Sequence, residues 1–183
     1  MLLALLPALF APFRAGAQSF AVKTNLLFDA AMTPDLGVEL VTGEHTSVSL
    51  SVCGHYKPYG LQSKLWLVQP EFRYWFNGRP LVREYVGIAA FGASYDMSLG
   101  SYVHNGDALS LGLSGGYVLP LGKRLNIEFS AGFGFLLFKQ KQYLKDDHYD
   151  DYNVNVEVSE RTNAWGYKLF PAKLGVTLIY IIK

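Results

Sequence analysis

Residues 124–135 of the chain read Arg-Leu-Asn-Ile-Glu-Phe-Ser-Ala-Gly-Phe-Gly-Phe. Bulky apolar residues alternate there with small or polar residues, which are Asn126, Glu128, Ser130, Gly132 and Gly134. Because successive residues of a strand point to opposite faces, such a strand is apolar on one face and polar on the other. The polar face includes a carboxylate, while the other face carries aromatic rings. This sidedness is typical of a barrel surrounded by lipid, since a soluble barrel keeps its apolar face inside.

The same alternation recurs along the chain and predicts an all-β fold, an eight-stranded antiparallel up-and-down transmembrane β-barrel. The predicted strands cover residues 20–29, 36–42, 46–56, 65–76, 83–96, 108–119, 124–140 and 165–182. Most of them reach the ~10 residues with which a tilted strand crosses an outer membrane. The fifth strand is apolar on both faces, so its phase is left open. Pro70 lacks an N–H and predicts a bulge in the fourth strand.

Each face of the predicted sheet has its own composition. The outward face is apolar, with Leu36, Val38, Leu40, Val48, Leu50, Val52, Val68, Phe72, Leu109, Leu111, Leu113, Phe129, Phe133, Leu174 and Val176. A predicted aromatic girdle lies near one end of the strands and consists of Tyr74, Phe76, Tyr117 and Tyr180. The inward face is small or charged, and eight strands enclose only enough room for their own side chains. We therefore expect a side-chain-filled interior.

The connections between the predicted strands alternate in length. Short turns fall at residues 43–45, 77–80 and 120–123, and longer segments at 55–64, 97–107 and 141–164. Outer-membrane barrels show this asymmetry, with short periplasmic turns and longer outer loops. The connection at 30–35 would be an outer loop, but it is short and fits this pattern less well.

The composition excludes several classes of function. The formal net charge of +1 gives no electrostatic footprint for nucleic acid. Cys53 is the only cysteine, so neither an internal disulfide nor a cysteine zinc site is possible. The histidines show no metal-ligand spacing, and no serine lies in a nucleophile-elbow motif. We predict no catalytic residue, no metal site, no cofactor and no evident small-molecule substrate.

The first residues predict export. An apolar stretch at 2–13 precedes Ala15-Gly16-Ala17, a small-x-small cleavage pattern, although a basic segment before the stretch is missing. Residues 1–17 are therefore expected to be a signal peptide and residues 18–183 the barrel domain. The predicted localisation is the outer membrane.

Six charged residues on the inward face form the best side-chain cluster in the sequence. They are Lys23, Glu39, Glu71, Arg73, Glu128 and Lys173. Facing one narrow lumen, they predict a buried ionic network in which each charge requires a partner. The network is interpreted as a structural plug in preference to a proton relay or gate.

Four segments resemble a known family: residues 22–29, 34–39, 67–75 (Leu-Val-Gln-Pro-Glu-Phe-Arg-Tyr-Trp) and 172–183. They are similar to the exported domain-of-unknown-function family numbered three-five-seven-five, from Bacteroidetes-type bacteria. The resemblance covers nearly all of the chain after the signal peptide. It implies a small outer-membrane-type β-barrel, encoded in some members beside fimbria-like surface proteins, and it supplies no catalytic residues.

The function expected from the sequence is structural or interactive, without enzymatic activity. The expected partners are outer-membrane lipid and a surface protein, the latter bound through the outer loops. The aromatic residues of the last long loop are the candidates for that contact, namely Tyr143, Tyr149, Tyr152 and Trp165. Two alternatives stay open: a membrane-embedded lipid-modifying enzyme, and a soluble periplasmic ligand-binding barrel of lipocalin type.

Overall fold

The computed structural model describes residues 19–60, 62–99, 102–144 and 163–182. Its elements are β1 Phe20–Asn25, α1 Leu26–Ala30, β2 Asp35–Val41, β3 Thr46–Tyr56, a 3₁₀ turn Pro58–Gly60, β4 Ser63–Trp75, β5 Arg83–Leu99, β6 Tyr102–Pro120, β7 Leu125–Leu144 and β8 Asn163–Ile181. Each strand pairs antiparallel with the next, and β8 pairs with β1. The predicted eight-stranded, closed, all-β barrel is confirmed.

The strands are staggered as a closed barrel requires. A row of paired residues leads from Ala21 through Glu39, Ser49, Glu71, Ala89, Gly112 and Gly134 to Phe170. Ala21 itself pairs with Ile181 on β8, eleven residues further along the chain. This offset tilts every strand relative to the barrel axis and fixes the width of the lumen.

The faces of the barrel follow the sequence alternation. The outward side chains of β6 are exposed, and Leu113 reaches 71%. The inward side chains are buried, including three glutamates and Arg73. On β5, whose phase the sequence left open, Tyr85, Ala89 and Phe91 are buried and point inward. The polar face therefore lines the lumen, and the apolar face forms the outer surface.

The bulge lies on β8 instead of β4, so the prediction for Pro70 is wrong. Pro70 pairs with Leu50, and the β4–β5 register is the same on either side of it, with Val68 opposite Gly92 and Glu71 opposite Ala89. The ladder to β5 is interrupted at Pro70 but not shifted. The register shift falls opposite Gly132 and Gly134, where Pro171 and Ala172 supply one extra residue on β8.

The first strand is shorter than predicted. β1 ends at Asn25, and residues 26–30 form the helix α1 instead of continuing the strand. Asn25 caps this helix, since its Oδ1 accepts a hydrogen bond from the Leu27 backbone N–H at 3.1 Å. The alternation at Leu26 and Phe28 suits a strand, but the cap ends the strand first.

The outer hairpins are longer than predicted. The sequence predicts a loop at 97–107, but β5 continues to Leu99 and β6 begins at Tyr102. β7 likewise extends to Leu144, and β8 begins at Asn163, inside the predicted loop 141–164. Residues 102–107 of β6 read Tyr-Val-His-Asn-Gly-Asp and residues 141–144 of β7 read Lys-Gln-Tyr-Leu. Neither stretch alternates regularly, so the pattern did not predict these strand ends, whereas backbone pairing continues through them. By contrast, β1 and β2 have only 6 and 7 residues, so the barrel wall is shorter along the barrel axis on this side.

Candidate functional site

An apolar cluster fills the lumen at the end that holds the short turns and both chain termini of the barrel. It consists of Ala21, Trp75, Leu81, Tyr85, Val118 and Ile179, all at 2% exposure or less. Leu81 belongs to the connection between β4 and β5, which folds back under the barrel with a left-handed φ of 69° at this residue. Asn126 fixes that fold by donating its Nδ2 hydrogen to the Leu81 carbonyl at 2.7 Å. This end of the lumen is closed by side chains.

The six predicted charged residues meet directly above this cluster. Arg73 lies at the centre, where its Nε donates to Glu71 Oε2 at 2.8 Å and its Nη1 to Glu39 Oε2 at 2.9 Å. The same guanidinium holds both carboxylate oxygens of Glu128, at 2.8 and 3.0 Å. One cation on β4 thus bridges carboxylates from β2, β4 and β7.

Two lysines complete the network. Lys23 Nζ donates to Glu39 Oε2 at 2.8 Å. Lys173 Nζ donates to Glu71 Oε2 at 2.7 Å and approaches Glu128 Oε1 at 3.5 Å. The three carboxylates therefore face three cations, and every one of the six has an opposite charge within salt-bridge distance. Balanced pairing offsets the large cost of taking these charges out of water.

Neutral side chains donate further hydrogen bonds to the three carboxylates. Tyr85 donates its hydroxyl to Glu128 Oε1 at 2.7 Å, and its ring lies 4.4 Å from the Arg73 guanidinium. Ser114 donates to Glu71 Oε1, and Ser47 donates to Glu39 Oε1. Trp75 Nε1 in turn donates to Ser47 Oγ at 2.9 Å, which links the ionic layer to the apolar cluster. The two layers form one plug.

A cavity of about 260 Å³ lies on the other side of the ionic network, toward the long hairpins. Its floor is the network itself, including Glu71, Arg73 and Lys173. Its walls carry hydroxyl and amide groups from Ser49, Ser51, Asn25, Gln69 and Thr177. Apolar side chains also line it, from Phe28, Leu67, Phe91, Phe170, Pro171, Ala172 and Leu174, and Asp35 adds a carboxylate. The interior is therefore filled in its middle and at the turn end, and open toward the hairpins.

A short chain of hydrogen bonds joins β3, β4 and the segment after α1 at the hairpin end. His55 Nδ1 lies 2.9 Å from Thr33 Oγ1, and His55 Nε2 lies 2.9 Å from Ser63 Oγ. Thr33 donates its own proton to the Ala31 carbonyl at 3.3 Å. The imidazole then satisfies both contacts when Nδ1 carries the proton and Nε2 accepts from Ser63. This is the arrangement of a serine hydroxyl beside a base, with threonine in place of the usual carboxylate.

The described residues offer no further polar centre of a familiar kind. Across residues 19–60, 62–99, 102–144 and 163–182, no group of three or more His, Cys, Asp or Glu side chains is placed to hold a metal ion. Within the same ranges, no helix has the length and apolar character needed to cross a bilayer. Cys53 is a buried free thiol.

Some predicted residues fall outside this description. The signal peptide at 1–17, Tyr149 and Tyr152 lie outside the described residues. Tyr143 and Trp165 belong to β7 and β8, but their side chains are not among those described. The interaction surface expected at the last long loop therefore remains a prediction.

Sequence reasoning missed Trp75, Leu81 and Tyr85, which close the lumen. Trp75 and Tyr85 occupy inward positions of β4 and β5, so their register could have revealed them had the phase of β5 been known. The strand alternation could not predict the position of Leu81, because this residue enters the lumen from a connection and not from a strand. The His55–Ser63 contact was also missed, since the two residues are brought together only by the pairing of β3 with β4.

The fold and the lumen together define a class: a small closed β-barrel with an apolar outer face and a charged, plugged interior. Within that class, the chain belongs to the family described as "Protein of unknown function (DUF3575)", whose family model matches residues 1–182. The match confirms the resemblance seen in the four sequence segments. Comparisons with curated proteins and with solved structures find no match.

Proposed function

We propose that this chain is a small, non-conducting outer-membrane β-barrel, exported by an N-terminal signal peptide, with a structural or surface-interaction role. The observation that carries the proposal is the distribution of exposed apolar side chains. Leu111, Leu113 and Phe133 are each more than 60% exposed and lie side by side on β6 and β7. A continuous apolar surface of this kind requires an apolar solvent or a partner.

The height of the apolar surface suits a bilayer. Trp66 on β4 and Phe76 directly after β4 are both 58% exposed and ten residues apart. At ~3.3 Å per residue and a tilt of ~40°, they are ~25 Å apart along the barrel axis, which is the height of the apolar band of outer-membrane barrels. Exposed aromatic rings occur at both limits, with Tyr74, Tyr117 and Tyr180 at one and Tyr56, Trp66 and Tyr167 at the other.

The soluble lipocalin-type alternative is disfavoured by the same distribution. A lipocalin-like barrel would place its apolar side chains around a central cavity and its charges in water. Here the ionic side chains are enclosed, and the rings are outside.

The plug supports a non-conducting barrel. The ionic network and the apolar cluster occupy the lumen in two consecutive layers, and the largest side chains in them are Trp75, Arg73 and Tyr85. An eight-stranded barrel leaves no further room beside such side chains. Reconstituted protein is therefore expected to show no steady ion conductance in a planar bilayer.

The surface-interaction role rests on the long strands. β5 to β8 have 17 to 20 residues each, against 6 to 13 for β1 to β4, so two hairpins extend beyond the rest of the barrel. Extended hairpins with aromatic residues are suited to binding another protein. The resemblance to a family with some members encoded beside fimbria-like surface proteins is the reason for proposing a protein of that kind as the partner.

Location is tested by membrane fractionation followed by protease treatment of intact cells. We expect the chain in the outer-membrane fraction, heat-modifiable mobility in gels, and cleavage confined to the last long loop that the sequence predicts. Recovery in the soluble periplasmic fraction, without heat-modifiable mobility, would contradict the proposal. The surface role has its own test, because deletion of residues 145–160 should abolish partner binding while the barrel still folds.

A lipid-modifying enzyme is kept as the second candidate because of one observation, the Ser63–His55–Thr33 chain. Its hydroxyl–imidazole distances of 2.9 Å suit removal of the serine proton by His55. We expect that only an active serine would be labelled by a fluorophosphonate probe. Labelling that is lost in Ser63→Ala and His55→Gln, but kept in Ser94→Ala, would favour the enzyme, whereas an unlabelled wild-type protein would exclude this serine as a nucleophile.

A further inference from the structure

The charged side chains on the floor of the lumen cavity are already engaged with one another. Glu71 and Glu128 each lie within salt-bridge distance of both Arg73 and Lys173. An ion that enters the cavity would have to displace one member of a buried pair, which leaves a charge uncompensated and is costly. Asp35 in the wall repels an anion, and the three cations that line the cavity repel a cation. The electrostatics of the cavity therefore favour a neutral ligand.

Neutral polar groups of the wall keep hydrogen-bonding capacity that no described residue uses. The hydroxyls of Ser51 and Thr177 make no hydrogen bond with any described residue. Asn25 and Gln69 each give one amide hydrogen to a β8 carbonyl, at 3.3 and 3.1 Å, and each keeps a second amide hydrogen. Because hydroxyls and amides both donate and accept, this set is complementary to the hydroxyls of a polyol.

A buried hydroxyl beside the cavity lacks a partner. Ser130 on β7 is 6% exposed, and its Oγ makes no hydrogen bond within the part of the chain that the structure describes. Gly175 of β8 pairs with Ser130 and has no side chain. A Cβ added there would lie 3.0 Å from Ser130 Oγ and from Asn25 Nδ2, and 3.3 Å from Thr177 Oγ1. Three polar atoms thus converge over Gly175, and a ligand hydroxyl in reach of them would satisfy the buried serine.

The size and the remaining lining of the cavity suit a small ring. The volume of about 260 Å³ equals that of roughly nine water molecules at ~30 Å³ each, which is room for one monosaccharide. The rings of Phe28, Phe91 and Phe170 line the same space. The face of an aromatic ring is negative and attracts the C–H groups of a sugar ring. Apolar lining with a few placed polar groups is the usual composition of a small-molecule site.

We infer that the lumen cavity binds one neutral, hydroxyl-rich small molecule of the monosaccharide class, which enters from the hairpin end. The hydroxyl and amide groups of β1, β3, β4 and β8 hold its hydroxyls, and the phenylalanine rings pack against its C–H groups. The inference goes beyond the proposed role of the barrel and does not depend on the membrane location. No local sequence pattern reveals this site, because its groups come together only when the barrel closes.

The test uses the full chain refolded in dodecylphosphocholine micelles, because a detergent with a sugar headgroup would compete for the site. Saturation-transfer-difference NMR measures the binding of glucose, galactose and mannose, with glucosamine and glucuronate as the cationic and anionic analogues. We expect saturable binding of at least one neutral hexose, several-fold tighter than either charged analogue. The Gly175 amide resonance should shift on binding, whereas that of Gly122, in the turn after β6, should not. Absence of saturable binding for all three hexoses overturns the inference, as does tighter binding of a charged analogue.

Ser130→Ala separates a ligand site from a structural role. Because this hydroxyl has no described partner in the barrel, its removal should leave the urea midpoint unchanged or raise it, while binding of the hexose weakens several-fold. Ser110→Ala is the matched control, since Ser110 also has a buried hydroxyl without a described partner but lies neither in the cavity lining nor over Gly175. Hexose binding should be unchanged in this control.

A second pair of variants tests the aromatic side of the cavity. Phe91→Leu shortens a ring that lines the cavity and should weaken hexose binding several-fold, whereas Phe72→Leu on the outer face should not. Wild-type affinity in both Ser130→Ala and Phe91→Leu would place the hexose outside the cavity and overturn the inference. Heat-modifiable mobility in gels establishes that each variant is folded.

Discussion

At the scale of single residues, Arg73 has the largest electrostatic role in the lumen. Its guanidinium contacts three carboxylates at 2.7 to 2.9 Å and is almost fully removed from water. Lysine could not replace it, because only the planar fork of arginine binds both oxygens of Glu128 while also reaching Glu39 and Glu71. Without Arg73, three carboxylates would share the two lysines.

The first prediction concerns the loss of Arg73, which would leave two lysines facing three carboxylates. Arg73→Met should lower the free energy of unfolding by ~3–5 kcal/mol, because removing one partner of a buried ionic pair leaves charge that nothing compensates. Urea unfolding in phospholipid vesicles, followed by gel mobility, measures the loss. Arg79→Met is the matched control on the exposed connection between β4 and β5, and its effect should stay within ~0.5 kcal/mol. Equal effects of the two substitutions would show that the network does not stabilise the barrel.

At the scale of elements, Gly112 of β6 pairs with Gly134 of β7, and neither position has room for a side chain. A Cβ on Gly112 would overlap the Phe133 carbonyl and the Cα of Gly134. Gly112→Ala should therefore destabilise the barrel by ~1–3 kcal/mol, as overpacking does elsewhere. Gly92→Ala on β5 is the control, since a Cβ there meets no atom within 4 Å. A stable Gly112→Ala variant, unfolding at the same urea concentration as Gly92→Ala, would contradict this packing.

Asn25 joins three elements, and its two roles can be separated. Asn25→Ala removes both the cap of α1 and the bond to Leu174, and should cost ~1–2 kcal/mol. Asn25→Ser keeps a neutral capping oxygen for the Leu27 N–H but loses the Nδ2 donor, so it should recover only the capping part. Urea midpoints of the two variants give the comparison. If Asn25→Ser equals the wild type in stability, the contact with β8 contributes nothing.

The elements also show how far sequence alone could lead. The alternation was sufficient for β2, β3 and β7, because each has one apolar and one polar face within the band. It failed at the far end of the β5–β6 hairpin, where residues 102–107 of β6 lack a regular alternation although the strands continue to Leu99 and Tyr102. The six network residues could be assigned to one lumen from parity alone, yet their pairing around Arg73 depends on a register that no local pattern contains.

At the scale of the whole molecule, the distribution of polarity is the inverse of that in a soluble domain: charged side chains are enclosed and apolar side chains lie on the outer surface. The inversion is uneven around the circumference. The wall formed by β5 to β8 extends further along the barrel axis than the wall formed by β1, α1 and β2. The cavity borders the shorter wall. The plug closes the lumen toward the turn end, so a molecule could reach the cavity only from the hairpin end or across the shorter wall at β1 and α1.

The inverted polarity gives the last prediction. Leu113 is 71% exposed and lies midway along the outward apolar face of β6, between Leu109 and Tyr117. In phospholipid vesicles, Leu113→Arg should cost ~2–4 kcal/mol, because an arginine at the midplane must reach water through the hydrocarbon. Leu121→Arg, in the turn after β6, places the same charge at the edge of the band and should cost at most ~1 kcal/mol. In a barrel surrounded by water, an exposed leucine exchanged for arginine would be neutral at both positions, so equal urea midpoints for the two variants would remove the physical basis of the membrane assignment.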